Sequence, residues 1–420
     1  MSIGAHIQHR RAIEALRSGV PNRDAVRALG SAQPDIEEKF RQQLDDVKND
    51  IDKGVQTPGL LIAGDFGSGK SHLLEYLQHV ALEGNFVCSK VVISKETPLY
   101  DPAKLYRAAV DTAAVPGKKG SALTEIAFRL KFDSPGYVDL FRWANDRGVE
   151  LNSRFPATLF VFEQVKNEEI RDRIISFWAG DPLNAGELRR WLRAYGEAAT
   201  YKLEKVAAKE LPLHRFRFSA RLIRAAGYSG WVLFVDEVEL IGRYSFRQRA
   251  RSYAELARWA GKLEGEALSG LTTVFAITSD FAEKVLEERN DLESIPGRLR
   301  ASGLDAELLL ASQAERGMRL IARDAVPLTG PDPQAVDRTR GQVRDIHSQA
   351  YGWNPPPLEA EERLSTTRMR QYVRRWINEW DLRRLYPEHP VETVVTELKM
   401  DYSESPDLER HSEEDGDVDS

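Results

Sequence analysis

The segment from Gly64 to Ser71 has the residue types and the spacing that bind phosphate groups. It fits the pattern G-x-x-x-x-G-K-[ST] of a P-loop, or Walker A motif, and consists of Gly64, Asp65, Phe66, Gly67, Ser68, Gly69, Lys70 and Ser71. Glycines allow backbone angles that turn successive N–H groups toward phosphates, and a helix that begins here adds the positive end of its dipole. We expect Lys70 to contact the outer phosphates and the Ser71 hydroxyl to coordinate Mg²⁺.

Two acidic residues end a second apolar run, in the sequence WVLFVDEVELIG. This segment looks like a Walker B motif with its catalytic glutamate. It predicts that Asp236 holds Mg²⁺ through the water shell of the ion and that Glu237 orients or deprotonates the attacking water. The alternative interpretation is a strand whose two terminal acids are only solvated.

A third apolar run, TTVFAITSD, ends in hydroxyl and carboxyl side chains. We expect Ser279 to act as a sensor, because a side chain placed between the two Walker strands can hydrogen-bond the attacking water or the γ-phosphate. Ordinary turn residues at the end of a strand would give the same pattern.

Arginines further along the chain can complete such a site. A guanidinium from Arg298 or Arg300 that reaches the γ-phosphate of a neighbouring subunit would neutralise charge in the transition state. We favour Arg298 as this arginine finger, although spacing alone does not separate it from Arg300 or from a solvated arginine. For Arg368 two interpretations stand equally, contact with the nucleotide from a lid and simple solvation.

These residues need strands and helices that alternate along the chain. Short apolar runs predict strands over residues 60–63, 86–94, 231–235 and 274–277, and a helix over 71–83 that ends at Gly84. Apolar residues at steps of three and four predict a core-facing helix before the P-loop, with the stripe Ile36, Phe40, Leu44, Val47 and Ile51. The sequence therefore predicts an α/β fold with a doubly wound, parallel sheet.

Changes in composition divide the chain into regions. We predict an N-terminal helical segment (1–58) that packs on the core, a P-loop core (59–310) with a helical insertion (101–228), and a helical lid (311–400). In the lid, three prolines at 355–357 form a stiff linker before a helix over 361–385. Residues 401–420 are acidic and nearly devoid of apolar side chains, so this tail is predicted to be disordered.

The overall composition excludes several classes of protein. With 420 residues and 42% hydrophobic composition, the chain can bury a substantial core. No apolar run is long enough to span a membrane and no secretory signal is evident, so we expect a cytoplasmic protein without a membrane partner. The single cysteine, Cys88, excludes an internal disulfide and a cysteine zinc cluster. A net charge of -6 argues against a globally basic nucleic-acid binder.

The order of the motifs resembles the AAA+ ATPases, especially the origin-recognition and Cdc6-type initiators. The resemblance implies a P-loop NTPase sheet with a helical lid, and Mg²⁺-ATP bound between the subunits of a homo-oligomer. In those initiators the third strand ends in Ser-Asn-Asp and the finger lies in Arg-Val-x-Ser. Here the corresponding segments are Thr278-Ser279-Asp280 and Arg298-Leu299-Arg300-Ala301-Ser302, so Ser279 stands in place of the family's asparagine. The winged helix of the initiators has no evident counterpart after Leu385.

Two further segments are more similar to the ATP-binding proteins of bacterial BREX phage-defence systems, of the BrxD type. They are AIEALRSGVPNRDAVRALG and FWAGDPLNAGELRRWL, and the resemblance spans most of residues 7–385. It implies adenine as the base, other defence-system proteins as partners and action against phage DNA. DNA contact also has support from interleaved basic and aromatic residues in HRFRFSARLIR and at Arg189, Arg190, Trp191, Arg193 and Tyr195. An ordinary amphipathic helix shows the same interleaving.

Two classes of function follow from these motifs. In the first, an ATPase converts hydrolysis into remodelling or loading on DNA. In the second, a nucleotide-gated scaffold or regulator binds ATP with little or no turnover. The presence of Glu237 favours the ATPase. A transcription regulator of the signal-transduction ATPase type is less favoured, because neither a helix-turn-helix motif nor a repeat array is recognisable.

Overall fold

The computed structural model describes residues 3–18, 23–50, 53–118, 121–204, 210–330, 333–358, 369–388 and 402. At its centre is a sheet of five parallel strands: β1 (Leu60–Ala63), β2 (Val87–Val92), β3 (Trp231–Asp236), β4 (Leu271–Ile277) and β5 (Val326–Pro327). Their order across the sheet is β2-β3-β4-β1-β5. The predicted α/β class with a parallel sheet is confirmed.

Four of the five strands agree with the sequence prediction, with small shifts at their ends. β2 is shorter than predicted, and β4 begins three residues earlier, at Leu271 instead of Val274. β5 was not predicted, since only helices were expected in that part of the chain. Every residue of β3 and β4 is buried, as expected for central strands that are covered on both faces.

Sixteen α-helices surround the sheet in the described part of the chain. They are α1 (Ile3–Ser18), α2 (Arg23–Leu29), α3 (Pro34–Asp50), α4 (Lys70–Glu83), α5 (Pro102–Asp111), α6 (Ala122–Phe128), α7 (Pro135–Ala144), α8 (Arg154–Gln164), α9 (Glu168–Ala179), α10 (Ala185–Ala194), α11 (Leu211–Ala225), α12 (Phe246–Trp259), α13 (Asp291–Arg300), α14 (Asp305–Arg319), α15 (Pro333–Tyr351) and α16 (Met369–Leu385). A 3₁₀ turn (Val238–Arg243) follows β3. None of these helices is both long and apolar enough to cross a membrane.

Both faces of the sheet are covered by helices. On one face, α3 and α4 pack against alternate residues of the strands, with the Phe40 and Phe234 ring centroids 5.9 Å apart. The buried positions of α3 include Ile36, Phe40, Leu44 and Val47, as the stripe predicts, whereas Ile51 lies outside the described residues. On the other face, the helices between β2 and β3 share one continuous apolar core with the sheet and with α12–α14. The region between β2 and β3 is thus built of helices α5–α11, in which α5 contacts β2 and Phe216 of α11 packs on Trp231 of β3.

The N-terminal helices contact two different parts of the molecule. α3 lies on the sheet, but α1 packs on α15 and α16, in a separate apolar cluster that includes Ile13, Trp376 and Trp380. The first 58 residues therefore do not pack on the core as a single unit.

Strand register brings the functional segments to one edge of the sheet. Ala63 pairs with Ile277, and Val235 pairs with Phe275, so β1, β3 and β4 end at nearly the same level. Because the strands are parallel, the residues that follow these three carboxyl ends lie side by side.

Candidate functional site

The P-loop connects the end of β1 to the start of α4. Gly67 and Gly69 have φ values of 77° and 104°, a region that favours glycine. Gly64 has no space for a side chain, because a Cβ there would lie 2.6 Å from Leu328 Cδ1. Its N–H donates to the Ile277 carbonyl of β4 at 3.0 Å. The loop is thus fixed to the neighbouring strand, and α4 begins at Lys70.

Lys70 points back over the loop. Its Nζ donates to the carbonyl oxygens of Gly64 and Asp65, at 2.7 and 3.2 Å, and only 8% of the residue is exposed. Within the described residues, the buried Ser68 Oγ has no hydrogen-bond partner. An anion in the loop would supply an acceptor to both groups, and the N-terminus of α4 favours negative charge. These groups therefore fit a phosphate.

Asp236 and Glu237 lie at the carboxyl end of β3. Asp236 is buried, and its Oδ1 accepts a hydrogen bond from the Glu237 N–H at 3.0 Å. Glu237 has a φ of 59°, a left-handed conformation that is uncommon for a residue with a side chain. Partial burial raises the pKa of Glu237, the nearby Asp236 raises it further, and Lys70 opposes the shift. The Glu237 carboxylate is thus within the electrostatic reach of Lys70 in the loop.

A third acid in this group was missed from the sequence. Glu239 lies in the 3₁₀ turn after β3, and its Oε1 is 4.0 Å from Lys70 Nζ. Its side chain is 5% exposed, and among the described residues Oε2 has no hydrogen-bond partner. Burial raises the pKa of Glu239 to about 7, although Lys70 lowers it. In the sequence, Glu239 is visible only as an acid two positions after Glu237. Neither hydrophobic periodicity nor a Walker motif marks that position as functional.

The end of β4 contacts the P-loop directly. Ser279 Oγ donates a hydrogen bond to Asp65 Oδ1, and β4 lies between β1 and β3. Thr278 is buried, and its Oγ1 is hydrogen-bonded to the hydroxyl of Tyr402 at 2.5 Å. Ser279 therefore lies beside the P-loop at the end of the strand between β1 and β3. Tyr402 is a second residue that sequence analysis did not assign to the site; it belongs to the tail 401–420 that was predicted to be disordered, whose other residues lie outside the described part of the chain.

The two candidate finger arginines have different surroundings on α13. Arg298 is exposed, with its guanidinium 5.3 Å from the centroid of the Phe246 ring. Arg300 forms an ion pair with Glu315 at 2.8 Å. The pairing of Arg300 within its own chain favours Arg298 as the arginine available to a neighbour. Arg368 lies outside the described residues.

The residues suggested for DNA contact divide into an exposed and a buried group. On α10, Arg189, Arg190 and Arg193 are exposed. On α11, Phe216 and Phe218 are fully buried, and Phe216 packs on Trp231 and Trp259. The aromatic residues of α11 thus form core and cannot stack on bases, so the expectation of base stacking at this helix is wrong. The amphipathic alternative holds for this helix.

Comparison with known proteins identifies the family to which the chain belongs. A family model described as BREX system ATP-binding protein BrxC/D matches residues 6–130 and 166–391. The similarity inferred from two segments of the sequence is therefore confirmed over most of the chain. No curated protein matches the chain, and no solved structure matches it.

Proposed function

Since the chain belongs to the family of BREX system ATP-binding proteins BrxC/D, we propose that it is a Mg²⁺-dependent ATPase of the AAA+ type that acts with other BREX proteins. One observation carries the proposal: the P-loop, the acidic pair and Ser279 follow three strands that end at one edge of the sheet. Open parallel sheets bind nucleotides in the crevice at the carboxyl ends of their strands.

In this proposal the loop amides, Lys70 and Ser68 bind the phosphates of ATP. The phosphate oxygens take over the Lys70 ammonium from the carbonyls of Gly64 and Asp65. Ser71 and Asp236 would hold Mg²⁺, which would supply Lewis acidity at the phosphate oxygens.

The proposed hydrolytic step depends on Glu237, Ser279 and Arg298. Glu237 is the general base, and its raised pKa suits a group that must accept a proton from water. Ser279 senses the γ-phosphate from the end of β4. Arg298 acts as the finger of a neighbouring copy, since its guanidinium is exposed while that of Arg300 is paired.

The remaining assignments are also proposals. Residues 59–310 form the AAA+ core, with 101–228 as its insertion, and residues 311–400 form a lid from which Arg368 approaches the nucleotide. The protein assembles as a cytoplasmic homo-oligomer. Any DNA contact is assigned to the exposed arginines of α10.

Steady-state ATP hydrolysis by the wild type and by Glu237→Gln tests the proposal. We expect the variant to bind a fluorescent ATP analogue normally and to lose turnover by roughly 10²-fold or more, because general-base catalysis is removed. Lys70→Ala is the binding control and should bind the analogue at least about tenfold more weakly, as a charge-assisted contact is lost.

Two results would contradict the proposal. Undiminished turnover in Glu237→Gln would remove this carboxylate from the chemistry. Nucleotide binding without turnover in the wild type, with and without DNA, would instead support the nucleotide-gated scaffold.

A further inference from the structure

Tyr402 is held against the hydrolytic edge of the sheet by several contacts. Its hydroxyl donates to Asp280 Oδ1 at 2.8 Å. A phenol has a single proton, so the 2.5 Å contact with Thr278 must be donated by Thr278 Oγ1. The ring packs edge-on against Phe281, with centroids 5.9 Å apart, and the Tyr402 carbonyl accepts from Arg289 at 3.3 Å.

The hydroxyl of Tyr402 thus joins the residues on either side of Ser279. Thr278 and Asp280 both bind the phenol, whereas Ser279 between them bonds to Asp65 of the P-loop. One hydroxyl therefore fixes the backbone from which the Ser279 side chain projects.

The same ring also contacts the acidic turn after β3. A Cβ at Gly242 would lie 3.0 Å from Tyr402 Cδ1, so the glycine leaves room for the ring. Gly242 belongs to the 3₁₀ turn that carries Glu239. Burial raises the pKa of Tyr402, the Asp280 carboxylate raises it further, and the nearby Glu239 contributes in the same direction. The phenol therefore keeps the proton with which it bonds to Asp280.

We propose that Tyr402 is a positioning residue for ATP hydrolysis, which clamps the end of β4 so that Ser279 meets the P-loop. The inference rests on the proposed function, because Ser279 is the sensor it positions. Tyr402 itself does not touch the reacting atoms. Its role links residues beyond α16 to the rate of the chemical step.

A double-mutant cycle with Tyr402→Phe and Ser279→Ala tests this role. Phenylalanine keeps the ring packing and removes only the hydroxyl. We expect Tyr402→Phe to lower kcat about tenfold with KM changed less than about twofold, since the loss of two hydrogen bonds displaces a transition-state contact. In the Ser279→Ala background the same change should alter kcat less than about twofold, because both substitutions affect one contact. The proposal would be overturned if the two substitutions lowered kcat independently, so that their fold-changes multiplied in the double variant.

Tyr386→Phe is the matched control, because this tyrosine is 56% exposed and follows α16. It should leave kcat and KM unchanged. An equal loss in the control would mean that tyrosine hydroxyls act through general stability, and the proposal would fall.

Hydrogen exchange of the nucleotide-free protein separates this inference from the proposed function. The Phe281 N–H donates to the Thr278 carbonyl at 3.3 Å, within the clamped segment. We expect the amides of residues 279–282 to exchange at least about fivefold faster in Tyr402→Phe, because the clamp limits local opening. Unchanged exchange would overturn the clamp. Faster exchange in a protein without turnover would support the clamp while the ATPase assignment fails.

Discussion

At the scale of single residues, the least expected feature of the site is the pair formed by Lys70 and Glu239. Both side chains are almost fully buried, and their charged atoms are 4.0 Å apart. A buried carboxylate loses hydration, and a single ammonium at this distance compensates only in part. For this reason Glu239 keeps its proton up to about pH 7, the pKa that burial gives it.

This shift predicts a pH-dependent difference in stability between the wild type and Glu239→Gln. The pKa of Glu239 rises from 4.5 to about 7 on folding, so between these values the folded state holds a proton that the unfolded state has released. The contribution of Glu239 to the free energy of unfolding therefore falls as pH rises through this window. The glutamine side chain of the variant carries no charge at any pH. We therefore expect the variant to be more stable than the wild type by about 3 kcal/mol above pH 7 and by almost nothing near pH 4.5.

Thermal unfolding of the nucleotide-free proteins between about pH 4.5 and 8 measures this difference, because the window brackets both pKa values. Glu264→Gln, at an exposed position, is the control and should follow the wild type at every pH. A constant offset between Glu239→Gln and the wild type would show that Glu239 is ionised throughout, contrary to the effect of its burial.

At the scale of elements, α13 is fixed to α12 by a buried ion pair. Arg249 of α12 contacts Asp291 at the start of α13 through two hydrogen bonds of 2.9 and 3.1 Å, and both side chains are at most 5% exposed. The Tyr253 hydroxyl donates to the same carboxylate at 2.9 Å. These bonds set the orientation of the helix that ends with Arg298 and Arg300.

Removing one partner of this pair is expected to destabilise the fold strongly. Asp291→Ala removes the buried carboxylate that accepts hydrogen bonds from Arg249 and Tyr253, which costs about 3–5 kcal/mol of unfolding free energy. Asp139→Ala breaks the Asp139–Arg142 pair, whose side chains are at least 70% exposed, and should cost less than about 1 kcal/mol. Urea unfolding compares the two variants, and equal losses would show that the buried pair contributes no more than a surface pair.

The elements also show what the sequence can and cannot predict. β3 was predictable because an apolar run ends in two acids, and α4 because a glycine-rich turn precedes it. β5 was not, because it has two residues and one of them, Pro327, disfavours a strand. The interleaved basic and aromatic residues of α11 did not reveal that Phe216 packs on Trp231 of β3. Glu239 and Tyr402 join the site through contacts that no local pattern encodes.

At the scale of the whole molecule, side-chain hydrogen bonds join the first helix to the last described helix. Arg17 of α1 bonds to Asp381 of α16, and the same carboxylate accepts from the buried His347 of α15 at 3.1 Å. The Trp353 indole N–H donates to Nδ1 of His347 at 3.0 Å, so Nε2 is the ring nitrogen that donates to Asp381. This apolar cluster is separate from the two apolar clusters that include the sheet, so α1, α15 and α16 share a core of their own.

A site completed by a second copy predicts complementation between two inactive variants. Arg298→Ala retains Glu237 but lacks the finger, so its own turnover should fall by roughly 10²- to 10³-fold while ATP affinity persists. Glu237→Gln keeps an exposed Arg298 that it can present to a neighbour. In mixed oligomers, an Arg298→Ala subunit beside a Glu237→Gln subunit regains both groups at one nucleotide.

The mixture should hydrolyse ATP faster than the sum of the separate variants, with a maximum near equal proportions. Arg300→Ala in place of Arg298→Ala is the matched control and should retain turnover alone, because Arg300 is paired with Glu315. Activity that never exceeds the sum, in samples shown by light scattering to be oligomeric, would place the finger within its own subunit or exclude it.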